Sequence, residues 1–348
     1  MIHIACCFDR NFEISFSVLA SSIERHSHSD VMIHAFHDGP LEYVKSAVRK
    51  TEKFKVEFCD VTGAYSKYPL AGHQTKITFA RLYLHELLND VARVIYLDVD
   101  MIVRRDLADL FNVDLHGKPI AAVIDYPMVL LAEQRGVLGT PNIQYRADEY
   151  ICKTLGMKNA KNYFNSGLLV IDLAQYAASG ALERIERFLM QKEPPRVFND
   201  QDALNVALEE NVEFLDPRWN CMPVLISQAK HGPISKEIES VLKLYDEPWL
   251  IHFAGRKPWN SIGSPDPWDR YFWEDACEML PLNARHLLLW QLKQAEHQAE
   301  QLQQVEHQAE QLQQVLAEHK ALLRSRSRLA KAWWRTIRWK LGIRRAPD

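Results

Sequence analysis

The chain lacks any apolar run approaching the roughly 18 residues that a helical membrane span requires, so no segment is expected to cross a bilayer. It also lacks a CxxC pair. The six cysteines (Cys6, Cys7, Cys59, Cys152, Cys221, Cys277) are scattered, which suits neither a zinc finger nor a disulfide framework and makes a reducing cytoplasm the expected compartment. The opening stretch, MIHIACCFDRNFEIS, has no basic start and too short an apolar core for a secretory leader. Glycine is scarce, 13 in 348 residues, which excludes fibrous classes, and 47% hydrophobic residues exclude a disordered chain.

What is present is unevenly distributed. The net charge is −3, yet residues 320–348 hold ten Lys or Arg against one Asp, a net of +9 that leaves −12 for residues 1–319. On a helix Leu322, Leu329, Trp333, Ile337 and Leu341 share one side, while Arg324, Arg328, Lys331, Arg335 and Arg338 lie on another. A cationic face beside three tryptophans is the pattern of an interfacial helix. It predicts that 321–348 is a basic tail on the anionic, cytoplasmic face of the inner membrane, and no nucleic-acid partner is expected. Just upstream, EHQAEQLQQV at 296–305 recurs unchanged at 306–315, with Ala299, Leu302, Val305, Ala309, Leu312 and Val315 stepping by three and four. Residues 276–320 therefore read as a helical spacer, either a self-associating seam through 288–320 or a single solvated helix.

Residues 1–275 alternate β-rich runs with helical patterns. IHIACCF, VMIHAF, KVEFCDV, RVIYLDV, KPIAAVID and GLLVIDL read as strands, several of them apolar without alternation, as strands covered on both faces are. EISFSVLASSIERHS and FARLYLHELLND show helical spacing, and KPWNSIGSPDPWDRYFW reads as an irregular closing segment. The pattern predicts an α/β domain on a mostly parallel sheet, with ligands beyond the carboxyl ends of strands.

The strongest chemical signal is RVIYLDVDMIV at 93–103, where Asp98 and Asp100 end an apolar run in which carboxylates should be unwelcome. Two residues apart on an extended chain, they would point the same way and offer oxygen ligands to Mg²⁺ or Mn²⁺. An acidic strand end meeting water is the plainer reading. A haloacid-dehalogenase-like phosphatase, with Asp98 as nucleophile, is an alternative, although Ile102 stands where that pattern has Thr or Val and the motif does not follow the first strand.

Five other segments accompany it: IACCFDRNF at 4–12, GHQTKITFARLYL at 72–84, NYFNSGLLVIDL at 162–173, NDQDALN at 199–205 and IHFAGRKPW at 251–259. Taken singly they have ordinary readings. Asp9 and Asn11 can form an Asx turn, Asp200 can cap a helix, His73 can be a loop histidine and His252 a packed core residue. Taken together, and in this order, they resemble glycosyltransferase family 8, which includes bacterial lipopolysaccharide galactosyl- and glucosyltransferases and, more distantly, glycogenin.

That resemblance implies a GT-A fold over residues 1–275 and a retaining, metal-dependent transfer of galactose or glucose from a UDP-sugar to a glycan. The lipopolysaccharide or lipooligosaccharide core is the implied acceptor. It further implies that Asp98, Asp100 and His252 hold the metal, Mn²⁺ rather than Mg²⁺ given a nitrogen ligand. Asp9 would address the uracil and Asn11 the ribose, His73 would lie near nucleotide and acceptor, and Arg81 and Asn165 would meet the donor sugar. Gly255 and Lys257 would serve the diphosphate, and Gly167 would allow close backbone approach. Asp200 and Gln201 would sit at the anomeric centre. An amide is a poor nucleophile, so same-face attack by the acceptor is expected, with Asp202 as the nearest carboxylate if a covalent route operates. Two positions depart from the family pattern: Arg10 replaces a frequent Asp, and one residue fewer separates Gly255 from Lys257. A non-catalytic glycan-binding scaffold is the remaining alternative.

Overall fold

The computed structural model describes residues 1–48, 50–69, 75–140, 143–191, 196–260 and 266–276. His73, the helical spacer beyond residue 276 and the basic tail lie outside the described residues. Among those described, no helix is long and apolar enough to cross a membrane.

The described residues form eleven strands: β1 (Ile2–Asp9), β2 (Val31–Asp38), β3 (Phe54–Asp60), β4 (Arg93–Leu97), β5 (Met101–Val103), β6 (Ile120–Ile124), β7 (Val137–Thr140), β8 (Ile143–Arg146), β9 (Phe164–Asp172), β10 (Val212–Phe214) and β11 (Leu250–His252). Seven form one sheet in the order β10-β6-β9-β4-β1-β2-β3. All its pairings are parallel except the two made by β9, which runs antiparallel to β4 and β6, so the expected mostly parallel sheet is present. β7 pairs with β8 as a separate hairpin, and β5 with β11 as a separate ribbon.

The unalternating apolar runs have the expected cause. Along β1, Ile4, Cys6 and Phe8 pack into one core while Ala5 and Cys7 pack into the other, so both faces of the sheet are covered. The helix Glu13–His26 supplies Phe16, Leu19, Ala20 and Ile23 to the first core, each large side chain contributing about 1.5–3 kcal/mol by burial. Its Ser22 hydroxyl accepts from the Val103 amide at 3.0 Å and so ties β5 to the helix. The second predicted helix differs: Lys76–Tyr83 is a 3-10 helix and only Leu84–Leu87 is α-helical. Thr78 turns its hydroxyl back to the Thr75 carbonyl at 3.0 Å, and Arg81 Nε donates to the Thr78 carbonyl at 3.1 Å, so side chains compete with regular helix formation there.

Candidate active site

The aspartate pair does not sit on one extended strand, which corrects the expectation from side-chain alternation. β4 stops at Leu97, residues 98–100 turn, and β5 leaves the main sheet to pair antiparallel with β11, placing His252 opposite Met101. The corner is held by the Asp98 amide donating to Gly167 O at 2.8 Å and the Phe253 amide donating to Asp100 O at 3.0 Å. It brings His252 Nε2 to 3.4 Å from Asp100 Oδ1 and 4.0 Å from Asp98 Oδ2. The three side chains offer ligand atoms that all lie within 4.8 Å of one another. Gly167 makes this possible: a Cβ there would stand 2.6 Å from His252 Cε1 and 2.8 Å from Asp98 Oδ2. Two carboxylates, one imidazole and a cradle kept open by a glycine fit a small divalent cation.

Around this corner the polar groups are pinned by donors and acceptors of fixed character. The Asp125 carboxylate, at the end of β6, accepts from Asn165 Nδ2 and Gln201 Nε2, both at 3.1 Å. Gln201 Oε1 then faces the Ser166 amide at 3.0 Å, and Asn165 Oδ1 faces the Gly167 amide at 3.0 Å. A register shift of β9 against β6 turns these residues out of the regular ladder, as strand irregularities near active sites do. Burial pushes the Asp125 carboxyl up, and the hydrogen bonds from Asn165, the Met128 amide and Gln201 offset part of that.

Arg81 links the corner to the helix Asn199–Leu208. Its guanidinium donates to Asp98 Oδ1 at 2.8 Å, lies 3.0 Å from Asp200 Oδ2, and donates to Ser166 O at 2.9 Å. It stacks over Tyr96, whose hydroxyl donates to the same Asp98 oxygen at 2.8 Å. Burial works against the charge on Arg81, and the Asp200 and Asp98 carboxylates outweigh it, so the group remains a cation. Asp200 is raised to about 6, chiefly by burial, with Arg81 pulling it down. Among the described residues its Oδ1 is buried without a hydrogen-bond partner, an acceptor for which a ligand hydroxyl is the natural donor.

These residues line a pocket of about 380 Å³ that includes Arg81, Asp98, Asp100, Asp125, Asn165, Asp200, Gln201, His252, Gly255 and Lys257. Lys257 pairs with Asp100 Oδ2 and donates to Phe253 O at 2.8 Å. Burial raises the Asp100 carboxyl, but Lys257 and His252 overcome this and hold it well below the usual carboxylate range. Gly255 takes φ +81°, a left-handed turn that points the chain back toward the pocket.

Asp202 is not brought together with the others. Its oxygens accept from Tyr150 at 2.5 Å, Tyr163 at 2.7 Å and the Phe198 amide at 2.8 Å, in a fully buried position away from the pocket. Consecutive helical residues diverge by about 100°, so Asp202 faces the core while Asp200 and Gln201 face the cavity. Asp9 and Asn11 do not line the pocket either. They occupy the carboxyl end of β1, on the same sheet edge as Asp98, and Asp9 Oδ1 accepts from the Asn11 amide at 2.8 Å as an Asx turn does. Burial raises the Asp9 carboxyl, and bonds from the Asn11 amide and the Thr75 side chain lower it.

Two contributors were missed from the sequence. Asp125 carries the same signal as Asp98, an acid ending an apolar strand, and could have been found by it. Asn220 bonds both Asn165 and His252 from the short helix Pro217–Asn220, and no periodicity marks it.

With the geometry in hand, comparison with known proteins is direct. The pattern of Glycosyl transferase family 8 matches residues 3–263. General stress protein A of Bacillus subtilis is 27% identical over 283 residues, 78% of this chain and 92% of that protein. Lipopolysaccharide 1,2-glucosyltransferase of Escherichia coli is 27% identical over 268 residues, 74% and 73% of the two chains. Among solved structures, the galactosyltransferase LgtC in complex with donor and acceptor sugar analogues superposes with TM-score 0.60 at 25% identity, covering 80% of this chain and 96% of that one. The bifunctional glycosyltransferase WbbM gives TM-score 0.66 at 24% identity over 79% of this chain and 49% of its own. The aspartate pair follows the fourth strand, not the first, so the phosphatase alternative lapses, and the match to a glycosyltransferase family and to a lipopolysaccharide glucosyltransferase sets aside the non-catalytic one. Matched along most of its length, the chain belongs to glycosyl transferase family 8 and is a glycosyltransferase of the GT-A fold.

Proposed function

We propose that the enzyme is a retaining, metal-dependent hexosyltransferase that moves galactose or glucose from a UDP-sugar to the lipopolysaccharide or lipooligosaccharide core. The observation that carries this reading is the convergence of Asp98, Asp100 and His252 beside Lys257 and Arg81 at one wall of the pocket. Relatives named for lipopolysaccharide glucosyl transfer and for galactosyl transfer support the acceptor and donor classes. Asp98, Asp100 and His252 would hold the cation, and the nitrogen ligand favours Mn²⁺ over Mg²⁺. Such an ion, when bound, supplies Lewis-acid stabilisation of charge on a departing diphosphate.

The chain's own residues do the rest. Lys257 adds a cation toward the diphosphate, while Asp9 and Asn11 address the nucleoside. Asp200 Oδ1 accepts from a sugar hydroxyl, and Asn165 and Arg81 flank the same ring. Gln201 has both ends of its amide engaged, by Asp125 and by Ser166, which suits a fixed dipole beside the anomeric carbon better than a nucleophile. Asp202 is capped by two tyrosyl hydroxyls, which disfavours a covalent adduct there and supports same-face attack by the acceptor.

A screen of UDP-sugars with Mn²⁺, following UDP release, tests the reading. Release from UDP-galactose or UDP-glucose that is lost with chelator and restored by Mn²⁺ is expected. Undiminished release in chelator would refute the metal dependence. For the basic tail, the full chain is expected to float with anionic vesicles and a 1–320 chain to stay behind; equal binding of both chains to neutral and anionic vesicles would contradict membrane association.

A further inference from the structure

Asn220 is fully buried and makes two side-chain bonds: Nδ2 donates to Asn165 Oδ1 at 3.0 Å, and Oδ1 lies 3.0 Å from His252 Nδ1. Amide and imidazole orientations are ambiguous until a partner of fixed character decides them, and here a backbone group decides both. The Gly167 amide is a donor only, so the Asn165 atom 3.0 Å from it must be the oxygen. At the other end of that amide, Nδ2 meets the Asp125 carboxylate, an acceptor, which agrees. The Asn220 atom facing Asn165 Oδ1 must then be nitrogen, and the atom facing His252 must be oxygen. An oxygen opposite Nδ1 requires the ring proton on Nδ1. Nε2 is then the ring nitrogen that faces Asp98 and Asp100, a donor to them in the imidazolium and a lone pair in the neutral ring that a metal requires.

We infer that Asn220 is a positioning residue that holds His252 in the Nδ1–H tautomer, so that Nε2 is presented as a ligand. The inference rests on the reading of His252 as a metal ligand. Its scaffold is stiff. The Asp216 carboxylate caps the helix Pro217–Asn220 through the Arg218 amide at 2.9 Å, and Trp219 packs on Trp249 with ring centroids 5.1 Å apart. The Cys221 amide donates to Leu250 O and the His252 amide to Cys221 O, both at 2.9 Å, so the Asn220 segment and β11 are laced together. Asn220 therefore cannot retreat from the ring without breaking backbone bonds.

The test uses the full chain and its Asn220→Leu and Asn220→Asp variants. Nitrogen-15 spectra of the metal-free protein, with the His252 signal assigned by its loss in His252→Gln, report which ring nitrogen carries the proton. Mn²⁺ affinity is read by the electron paramagnetic resonance of free ion. The neutral ring of the wild type is expected to carry its proton on Nδ1. Asn220→Leu should lose that preference and bind Mn²⁺ about 10–100-fold more weakly, while Asn220→Asp, which keeps an acceptor, should recover affinity to within a few-fold. A neutral wild-type ring with its proton on Nε2, or a folded Asn220→Leu protein with unchanged tautomer and affinity, overturns the inference. If Asn220→Leu fails to fold, the wild-type spectrum and Asn220→Asp still decide. Wild-type protein that binds no Mn²⁺ would sink the metal reading instead, while the tautomer, read without metal, still judges Asn220.

Discussion

Asp98→Asn is expected to lower the rate of UDP release by about 10²–10³-fold, the scale on which loss of one electrostatic contributor to a developing anion is felt. The substitution is nearly isosteric. Asn Oδ1 can still accept from Arg81 and Tyr96, which meet Asp98 Oδ1 at 2.8 Å each. The opposite atom becomes an NH₂ aimed at the space between Asp100 and His252, where it would repel a cation. Activity should therefore fall far more than stability does, and Mn²⁺ affinity should fall with it. Steady-state UDP release, Mn²⁺ titration and thermal unfolding on the same preparations check this. Wild-type activity in the folded variant would remove Asp98 from the metal site.

Arg81→Met should have the largest effect on stability, about 3–5 kcal/mol, the usual consequence of stranding a buried charge. Two carboxylates lose their cation at once, and the Ser166 carbonyl loses a donor. The loss should depend on pH in a defined direction. Asp200 already has a folded value raised to about 6 against an ordinary 3.8, so it favours folding below about 3.8 and that favour is lost as pH rises through about 6. Arg81 is what pulls the value down, so its removal drives the carboxyl higher and deepens the loss in neutral and alkaline solution. The deficit of Arg81→Met relative to wild type should be larger at pH 8 than at pH 5, measured by urea denaturation at both. A deficit independent of pH would mean that packing of the side chain over Tyr96, not charge, is what Arg81 contributes.

The six strands read from the sequence are all present as β1, β2, β3, β4, β6 and β9: burial on both faces leaves most of them as unbroken apolar runs, while β3, at the sheet edge, alternates buried Phe54 and Val56 with exposed Lys55 and Glu57. Direction was not readable. β9 looks in sequence like its parallel neighbours, yet it is antiparallel to both strands it pairs with, since apolar composition reports burial and is blind to which way a strand runs. The same blindness hid the corner at Asp98. An apolar run continuing through Met101–Val103 reads as one strand, whereas β5 earns its burial against the helix Glu13–His26 and β11. The family resemblance points to Asp200 and Gln201, and Asp202 joins them only as the nearest carboxylate in sequence; helical geometry parts Asp202 from the other two.

From residue order alone come the α/β architecture, because buried strands and amphipathic helices leave different apolar patterns, and the carboxylates stranded at the end of an apolar strand, because charge there violates what burial permits; His252 enters only through the family resemblance. Tertiary structure alone decided that these groups meet, that Asp202 turns away from them, and that a backbone amide at Gly167 governs the proton on His252 through two asparagines. Those outcomes rest on contacts between residues far apart in sequence, such as Asn220 and His252 at 32 positions and Asn165 and Asn220 at 55, and no local pattern encodes the hydrogen-bond direction that such contacts impose.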